Sequence, residues 1–239
     1  RYPFVGFTPD REAGRDLLTV EGVSKTIDGV RVLHNVSFIV DKGDKIVLLS
    51  RNEAAKTALL GILAGTVEPD EGTVRWGVTT SRAYLPRDTS AEFDGCSLNL
   101  IDWLRQYSRD KSESFVRGFL GRMLFSGDET LKQVSVLSGG EKMRCMFSRL
   151  MLSGANVLLL DDPTNHLDLE SITAVNNGLI AFPGTMLFAS RDHEFIQTIA
   201  NRVVELTPNG IYDNRIAFDD YLVNETARAR VEELYGTGE

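Results

Sequence analysis

The sequence has few cysteines, no excess of basic residues and no long apolar run, and each shortage excludes a class of protein. Two cysteines, Cys96 and Cys145, are too few for a disulfide framework and fit a reducing compartment. The net charge of -8 and the isoelectric point near 5.0 argue against broad, nonspecific nucleic-acid binding, although a local basic face stays open. No apolar run approaches the roughly 20 residues of a membrane-spanning helix, and residues 1–14 lack the apolar core of a signal peptide. We therefore expect a soluble, cytoplasmic protein.

The chain has an ordinary globular composition, and its most informative stretch is residues 137–168. Its 239 residues, 42% hydrophobic and 25% charged, suffice for one large domain or two small ones. Residues 137–168 begin with a Gly-Gly turn and end with the apolar run 157–160 and two carboxylates, which predicts a turn, a helix and a buried strand. The apolar positions at helical spacing are Met143, Met146, Phe147, Leu150 and Met151.

Asp161 and Asp162 follow the apolar run directly, so we expect them at the tip of a strand. Short runs rich in Val and Leu are typical of strands buried on both faces of a parallel sheet, and ligands bind at the carboxyl ends of such strands. A carboxylate there can hold Mg²⁺ that bridges nucleotide phosphates, and the next residue can polarise an attacking water. The alternative, solvated caps of an ordinary strand, leaves the Gly-Gly turn unexplained.

Two motifs of this stretch resemble those of ATP-binding cassette (ABC) proteins. Residues 137–141, Leu-Ser-Gly-Gly-Glu, are similar to the signature motif, and the strand with residues 161–164 is similar to the Walker B region. Residues 165–168, Asn-His-Leu-Asp, resemble the D-loop of the ABC-F family, whose members lack membrane spans and generally act on ribosomes. The resemblance implies an α/β fold of the P-loop NTPase type, with a mainly parallel sheet core, an N-terminal antiparallel β-subdomain and a helical signature subdomain. The signature residues implied to contact ATP held by a second cassette are Ser138, Gly139 and Gly140.

The segment between a predicted strand, 45–49, and a predicted helix, 58–64, stands in the place of a phosphate-binding loop but has no glycine. Lys56 and Thr57 stand at the helix N-terminus, where N–H groups and the ammonium favour phosphate and the hydroxyl can reach Mg²⁺. The resemblance therefore assigns Mg²⁺ to Thr57 and Asp161. The loop wording also resembles the second, C-terminal cassette of a YbiT-like subgroup of ABC-F, and we expect weakened ATP binding. The loop residues expected at the nucleotide are Ser50, Arg51, Asn52, Glu53, Ala54, Ala55, Lys56 and Thr57.

A hairpin is predicted from residues 17–23 and 32–40, which alternate in polarity around Asp28-Gly29. The resemblance places Ile27 at the adenine, where the family usually has an aromatic residue. Ile27 offers apolar contact without stacking, so we expect weaker contact with the base.

Arg87, Arg191 and Asp162 stand where the family usually has residues that act in hydrolysis. Arg87 replaces a Gln that senses Mg²⁺ and the γ-phosphate; it can contact phosphate but cannot accept a hydrogen bond, and a solvated loop arginine is an open alternative. Arg191 replaces a His and can stabilise phosphate charge without orienting water. Asp162 replaces the Glu general base and is about 1.5 Å shorter, and misplacements near 1 Å cost roughly a hundredfold in rate. We expect slow hydrolysis, with Asp162 and Arg191 as the catalytic residues.

The organisation implied by the resemblance has five parts. Residues 1–16 are the exit of a linker, 17–95 the antiparallel β-subdomain and phosphate-loop part of the core, 96–136 the helical subdomain, 137–222 the signature, Walker B and C-terminal part of the core, and 223–239 a polar, frayed tail. The apolar start leads us to expect a fragment of a longer protein. Trp103 and nearby basic residues either form a face for ribosomal RNA or are core and ordinary surface. These basic residues are Arg105, Arg109, Lys111, Arg117 and Arg122.

These observations leave three functions open. The first is an ATP-binding cassette of a soluble ABC-F protein, which binds Mg-ATP against a second cassette, hydrolyses it slowly and acts on the ribosome or its RNA in translation. The second is a catalytically silent interaction module that donates its signature motif to a partner cassette. The third, the ATPase subunit of a membrane transporter, is disfavoured by the Asn-His-Leu-Asp string.

Overall fold

The computed structural model describes residues 2–236, and their strands form two sheets. The smaller sheet has the order β2-β1-β4 and is antiparallel. The larger has the order β5-β6-β7-β3-β8-β9, and it is parallel except for the final β8-β9 pair. The α/β cassette fold expected from the sequence is therefore confirmed. The strands are β1 (Leu18–Ile27), β2 (Val30–Val40), β3 (Lys45–Leu49), β4 (Glu71–Trp76), β5 (Arg82–Leu85), β6 (Val157–Asp161), β7 (Thr185–Ala189), β8 (Arg202–Thr207) and β9 (Gly210–Asn214).

The predicted hairpin forms, and it begins the antiparallel sheet. Asp28 and Gly29 connect β1 to β2 with positive φ angles of 50° and 78°. Such a pair matches the right-handed twist of the two strands, which explains why Asp-Gly stands at this turn. The buried face of this sheet packs together with α1 (Glu53–Ala64) and one face of the parallel sheet.

The parallel strands β6 and β7 are buried along their whole length, as their uninterrupted apolar runs predict. Because β3, β5, β6 and β7 run parallel, their carboxyl ends lie at one edge of the sheet. The segments that follow these strands therefore meet there, and they contain the loop at residues 50–57, Arg87, Asp161–Asp162 and Arg191.

The other face of the parallel sheet packs against the helices that follow β5 along the chain. Trp103 is buried and stacks on Phe93 with 5.0 Å between ring centroids, so the core interpretation of Trp103 is correct. The helices are α2 (Ser90–Phe93), α3 (Leu100–Arg105), α4 (Glu113–Arg122), α5 (Gly139–Leu152), α6 (Leu169–Ala181), α7 (His193–Ile199), α8 (Phe218–Val223) and α9 (Glu225–Tyr235).

Two segments differ from their predicted structure. The helix predicted over 58–64 begins at Glu53, because Asn52 caps an additional turn. The frayed tail expected from 223 onward is instead the helix α9 over most of its length, because Ala227, Val231 and Leu234 share one buried face. Residues 237–239 of that tail lie outside the described residues.

Candidate functional site

Thr57 and Asp161 meet at the carboxyl edge of the parallel sheet. The Thr57 hydroxyl, in the second turn of α1, donates a 2.7 Å hydrogen bond to Asp161 Oδ2 at the end of β6. Lys56 precedes Thr57, is 5% exposed and lies close enough to lower the pKa of the Asp161 carboxyl. The loop after β3 and the acid after the leucine-rich strand therefore converge on one place, as their positions after parallel strands predict.

Asp161 is a buried carboxylate with one oxygen free of hydrogen bonds from residues 2–236. It is 1% exposed, and Oδ1 has no hydrogen-bond partner among the described residues. Burial raises the pKa of Asp161, and the hydrogen bond from Thr57 offsets part of that effect. A buried carboxylate oxygen without a partner, next to a hydroxyl, suits Mg²⁺, which binds through one or two protein oxygens together with waters and substrate phosphates. Within residues 2–236 there is no cluster of three or more His, Cys, Asp or Glu side chains that could hold a metal by itself.

Asp162 adopts a left-handed backbone conformation with φ of 56°. Its N–H donates to the carbonyl of Ala189 at 2.8 Å, which continues the β6-β7 pairing by one residue. Asp and Asn tolerate this conformation better than longer side chains do, because their short polar groups can bond locally. The turn thus directs the Asp162 side chain away from the paired strands β6 and β7, into a cleft beside the signature turn.

The loop at residues 50–57 is closed by hydrogen bonds within the chain. None of the described residues 50–57 has a positive φ, and a nest of N–H groups around phosphate needs alternating right- and left-handed residues. Asn52 accepts from Ala54 N through its side chain at 3.0 Å and from Ala55 N through its carbonyl at 3.1 Å. Its own N–H donates to Ser50 Oγ at 3.1 Å. Without glycine the loop therefore forms a capped helical turn.

The C-terminal helix α9 holds the start of this loop, a contact that the sequence interpretation missed. The N–H of Arg51 donates to the Tyr235 hydroxyl at 3.1 Å, and the Arg51 guanidinium lies 3.9 Å over the Tyr235 ring and pairs with Glu232. The Tyr235 hydroxyl in turn donates to Glu205 at 2.7 Å. Burial and this carboxylate raise the pKa of Tyr235 to about 12. The sequence signal for this contact is the helical spacing of the apolar residues in α9, which predicts a helix that packs on the core.

Three cationic side chains surround the carboxylate of Glu53. Lys56 Nζ lies 2.8 Å from Oε1, Arg87 Nη1 lies 2.7 Å from Oε2, and Arg191 Nη2 lies 3.9 Å from Oε2. Burial alone would raise the pKa of Glu53, but the hydrogen bonds and charges of Lys56 and Arg87 outweigh it and lower the pKa. Arg87 and Arg191 thus lie beside Lys56, and Glu53 is the group that joins them.

The signature turn caps α5 and stays accessible. Ser138 Oγ accepts from Glu141 N at 3.2 Å, and the Glu141 side chain accepts from Ser138 N at 3.1 Å, which is a capping box. A Cβ atom on Gly140 would lie 2.9 Å from the carbonyl oxygen of His166. Glycine is therefore required where the His166 backbone packs on the turn, while Ser138 and Gly139 remain exposed.

A cleft of about 220 Å³ lies between the signature turn and the end of β6. Ile27 stands apart from it: this residue ends β1 and packs, half-buried, on the core under the antiparallel sheet. The cleft is lined in part by Arg87, Gly139, Asp161, Asp162 and His166.

A family model described as ABC transporter matches residues 33–165, more than half of the chain. The chain belongs to this family. The cassette is 63% identical over 236 residues to the uncharacterized ABC transporter ATP-binding protein YkpA of Bacillus subtilis (strain 168), covering 98% of the chain and 44% of YkpA. It is 39% identical to the probable ATP-binding protein YbiT of Escherichia coli O157:H7, covering 92% of the chain and 42% of YbiT. It is 31% identical to the energy-dependent translational throttle protein EttA of Escherichia coli (strain K12), covering 84% of the chain and 37% of EttA. The cassette thus spans less than half the length of these relatives.

A solved structure supports the fold of the cassette independently. A dimeric ATP-binding cassette in a post-hydrolysis state, bound to ADP and phosphate, superposes with a TM-score of 0.71 over 84% of this chain and 99% of that chain. The identity is 14%, so this likeness concerns the fold alone. Among residues 2–236, no helix combines the length and the apolar composition needed to cross a bilayer.

Proposed function

We propose that this cassette is the second cassette of an ABC-F protein, that it binds Mg-ATP at an interface with another cassette, and that hydrolysis there is slow. The observation that carries the proposal is the 2.7 Å hydrogen bond between Thr57 and Asp161, beside Lys56. A buried lysine, a hydroxyl and a buried carboxylate with one oxygen free within residues 2–236 lie at the same end of the sheet, and such groups bind phosphate and Mg²⁺ in nucleotide sites.

Each residue at this edge has a proposed role. Thr57 and Asp161 would hold Mg²⁺, which neutralises phosphate charge when it is bound. Lys56 binds phosphate, Asp162 orients the attacking water, and Arg191 stabilises charge on the transferred group. Ser138, Gly139 and Gly140 contact nucleotide held by the partner cassette, which the exposure of Ser138 and Gly139 permits. Further nucleotide contacts are assigned to Ile27, Arg87 and the loop residues Ser50, Arg51, Asn52, Glu53, Ala54 and Ala55.

Slow hydrolysis follows from the shape of the residues at the cleft. The Asp162 carboxylate reaches about 1.5 Å less far than that of Glu. Arg191 carries a permanent charge and has no acceptor, so it cannot orient water. Its side chain is 66% exposed, so it is also free to move.

The ribosome is the proposed site of action, and the cytoplasm the proposed location. The support is the Asn-His-Leu-Asp string of residues 165–168 and the similarity to a protein named as a translational throttle. The net charge of -8 argues that any contact with ribosomal RNA is local rather than spread over the surface.

The nucleotide proposal is tested by isothermal titration of the full-length protein with Mg-ATP. We expect Lys56→Ala to remove the heat assigned to this cassette. Lys42→Ala is the matched control, because Lys42 lies between β2 and β3, at the opposite end of the parallel sheet, and is exposed. Equal heats for the wild type and Lys56→Ala would contradict binding in this cassette.

The ribosome proposal is tested by sedimentation of the full-length protein with ribosomes and, separately, with membrane vesicles, both with Mg-ATP. We expect recovery with ribosomes. Recovery with vesicles alone would instead favour the ATPase subunit of a transporter.

A second candidate function is supported by the closed loop at residues 50–57. If this cassette does not turn over nucleotide, it serves as a module that donates its signature motif to the partner. Phosphate release by the full-length protein bearing Lys56→Ala separates the two functions. Undiminished turnover would assign catalysis to the other cassette, and a large loss would assign it here.

A further inference from the structure

Three cationic side chains converge on Glu53, and both oxygens of its carboxylate contact them. Oε1 accepts from Lys56 at 2.8 Å, while Oε2 accepts from Arg87 at 2.7 Å and lies 3.9 Å from Arg191. These are the cations that the proposed function assigns to phosphate. A carboxylate and a phosphate present similar oxygens to Lys and Arg, so they compete for the same donors.

The charges at this edge balance in the structure as it stands. Lys56, Arg87 and Arg191 are cationic, and Glu53, Asp161 and Asp162 are anionic. Glu53, Asp161 and Asp162 all act on Arg87 electrostatically, so the groups lie within one field. With Glu53 in place these six side chains sum to no net charge, and removing the charge of Glu53 leaves one positive charge in excess among them.

Four backbone N–H groups of the loop already have acceptors within the chain. The N–H groups of Arg51, Asn52, Ala54 and Ala55 all donate to acceptors of this chain. The N-terminus of α1 is therefore already capped, and its first turn includes Glu53 itself.

We propose that Glu53 is an internal anion that occupies the phosphate position of this cassette, and that nucleotide enters only when Glu53 leaves Lys56, Arg87 and Arg191. The Glu53 side chain is 44% exposed, so it can rotate into solvent without unfolding α1. This inference rests on the proposed nucleotide site and names the residue that sets its affinity.

The test is hydrogen-deuterium exchange of the peptide covering residues 50–64 in the full-length protein, because that signal is local to this cassette. Magnesium tripolyphosphate and Mg-ATP are titrated separately against the wild type, Glu53→Gln and Glu21→Gln. Glu21 is an exposed glutamate of β1 in the antiparallel sheet, so it controls for loss of one negative charge. The midpoint of protection gives the affinity at the loop.

We expect Glu53→Gln to lower the midpoint about tenfold or more for both probes, because a like charge about 4 Å from phosphate strongly opposes binding. Glu21→Gln should match the wild type. An unchanged or higher midpoint in Glu53→Gln would overturn the inference. If exchange without ligand shows that Glu53→Gln loosens α1, Glu53→Asp takes its place, since the shorter carboxylate cannot hold all three cations; an unchanged midpoint there is equally contrary.

The two probes separate this inference from the proposed function. If Glu53→Gln lowers the midpoint for tripolyphosphate while Mg-ATP protects neither protein, the role of Glu53 is supported and the nucleotide site is contradicted. Protection of the wild type by Mg-ATP with the same midpoint as Glu53→Gln supports the nucleotide site and overturns the role of Glu53. If Glu53→Gln lowers the midpoint for neither probe, the inference is overturned. Sedimentation with ribosomes still tests the proposed action on the ribosome.

Discussion

Asp44 and Asp161 are both buried aspartates, but they lie at opposite ends of the parallel sheet. Asp44 precedes β3 at the amino end and is 4% exposed, and Asp161 ends β6 at the carboxyl end and is 1% exposed. Arg202 and Arg215 donate to Asp44 from two sides. Asp161 receives one hydrogen bond, from Thr57, and its other oxygen has no partner within residues 2–236.

The pKa values of the two aspartates shift in opposite directions. Burial would raise the pKa of Asp44, but hydrogen bonds from Arg215 and from the Asp41 N–H, together with the charges of Arg215 and Arg202, outweigh it and lower the pKa. At Asp161 burial wins and raises the pKa. The comparison teaches that two buried carboxylates of one fold can differ in how far their charge is offset: hydrogen bonds and arginine charges outweigh burial at Asp44, while one hydrogen bond and the nearby cations offset only part of it at Asp161, where Mg²⁺ is proposed to bind.

Removing Arg202, a buried partner of Asp44, should have the largest effect on the free energy of unfolding. Arg202 is 4% exposed, pairs with Asp44 and Asp213 and donates to the carbonyl of Ile39. Arg202→Gln leaves the Asp44 charge buried with one partner fewer, so we expect the free energy of unfolding to fall by about 3–5 kcal/mol. Equilibrium unfolding in urea measures this.

Arg215→Gln is the matched control for that prediction. The Arg215 side chain is 51% exposed, so water replaces part of its contact with Asp44 and we expect a smaller loss, about 1 kcal/mol. Equal losses in the two variants would mean that burial does not distinguish the two arginines, and the comparison would fail at the amino end.

Removing the charge of Asp161, at the carboxyl end of the sheet, should raise the free energy of unfolding rather than lower it. Asp161→Asn deletes a buried charge while its amide oxygen can still accept from Thr57, so we expect a gain of roughly 1 kcal/mol without Mg²⁺ or nucleotide, about 2–4 °C in Tm. Thermal unfolding followed by circular dichroism measures it. Asp162→Asn, at a partly exposed neighbour, should change stability by less than about 0.5 kcal/mol. A loss of stability in Asp161→Asn would show that the carboxylate is compensated in solution.

The sequence predicts the frame of the fold well because its strands are locally encoded. The bounds of β3 agree with the predicted strand 45–49, and β6 begins with the predicted apolar run 157–160, since an apolar strand buried on both faces is recognisable from its own residues. The Asp28-Gly29 hairpin and the helix that begins at Gly139 agree for the same reason: their turn and cap residues are adjacent in sequence.

The interior of the site was less predictable because its contacts join distant residues. Tyr235 meets Arg51 across 184 residues, and Arg87 meets Glu53 across 34, and no local pattern records either pair. The missing glycines at 50–57 indicated an altered loop but not the additional turn of α1, because that turn depends on the Asn52 cap and on the cations that hold Glu53.

Acid unfolding should show the smallest effect and sharpens the comparison at the amino end. A group whose pKa is lowered on folding contributes stability above its unfolded pKa, about 3.9 for Asp, and that stability is lost as the pH falls through the folded value. The Asp44 pKa is lowered, so wild-type stability should decline below about pH 4. Arg215→Gln removes charge and hydrogen bonds from Asp44, so its folded pKa rises toward the unfolded one and less stability remains to be lost.

The measurement is the urea midpoint between pH 2 and pH 5, compared among the wild type, Arg215→Gln and Arg215→Lys. We expect the decline on acidification to be shallower in Arg215→Gln, while Arg215→Lys keeps the charge and should keep most of the wild-type slope. Other carboxyl groups titrate equally in all three proteins, so the difference between the slopes reports on Asp44. Parallel slopes in all three would place the stabilisation of this carboxylate with Arg202 and the Asp41 N–H, because both also donate to it.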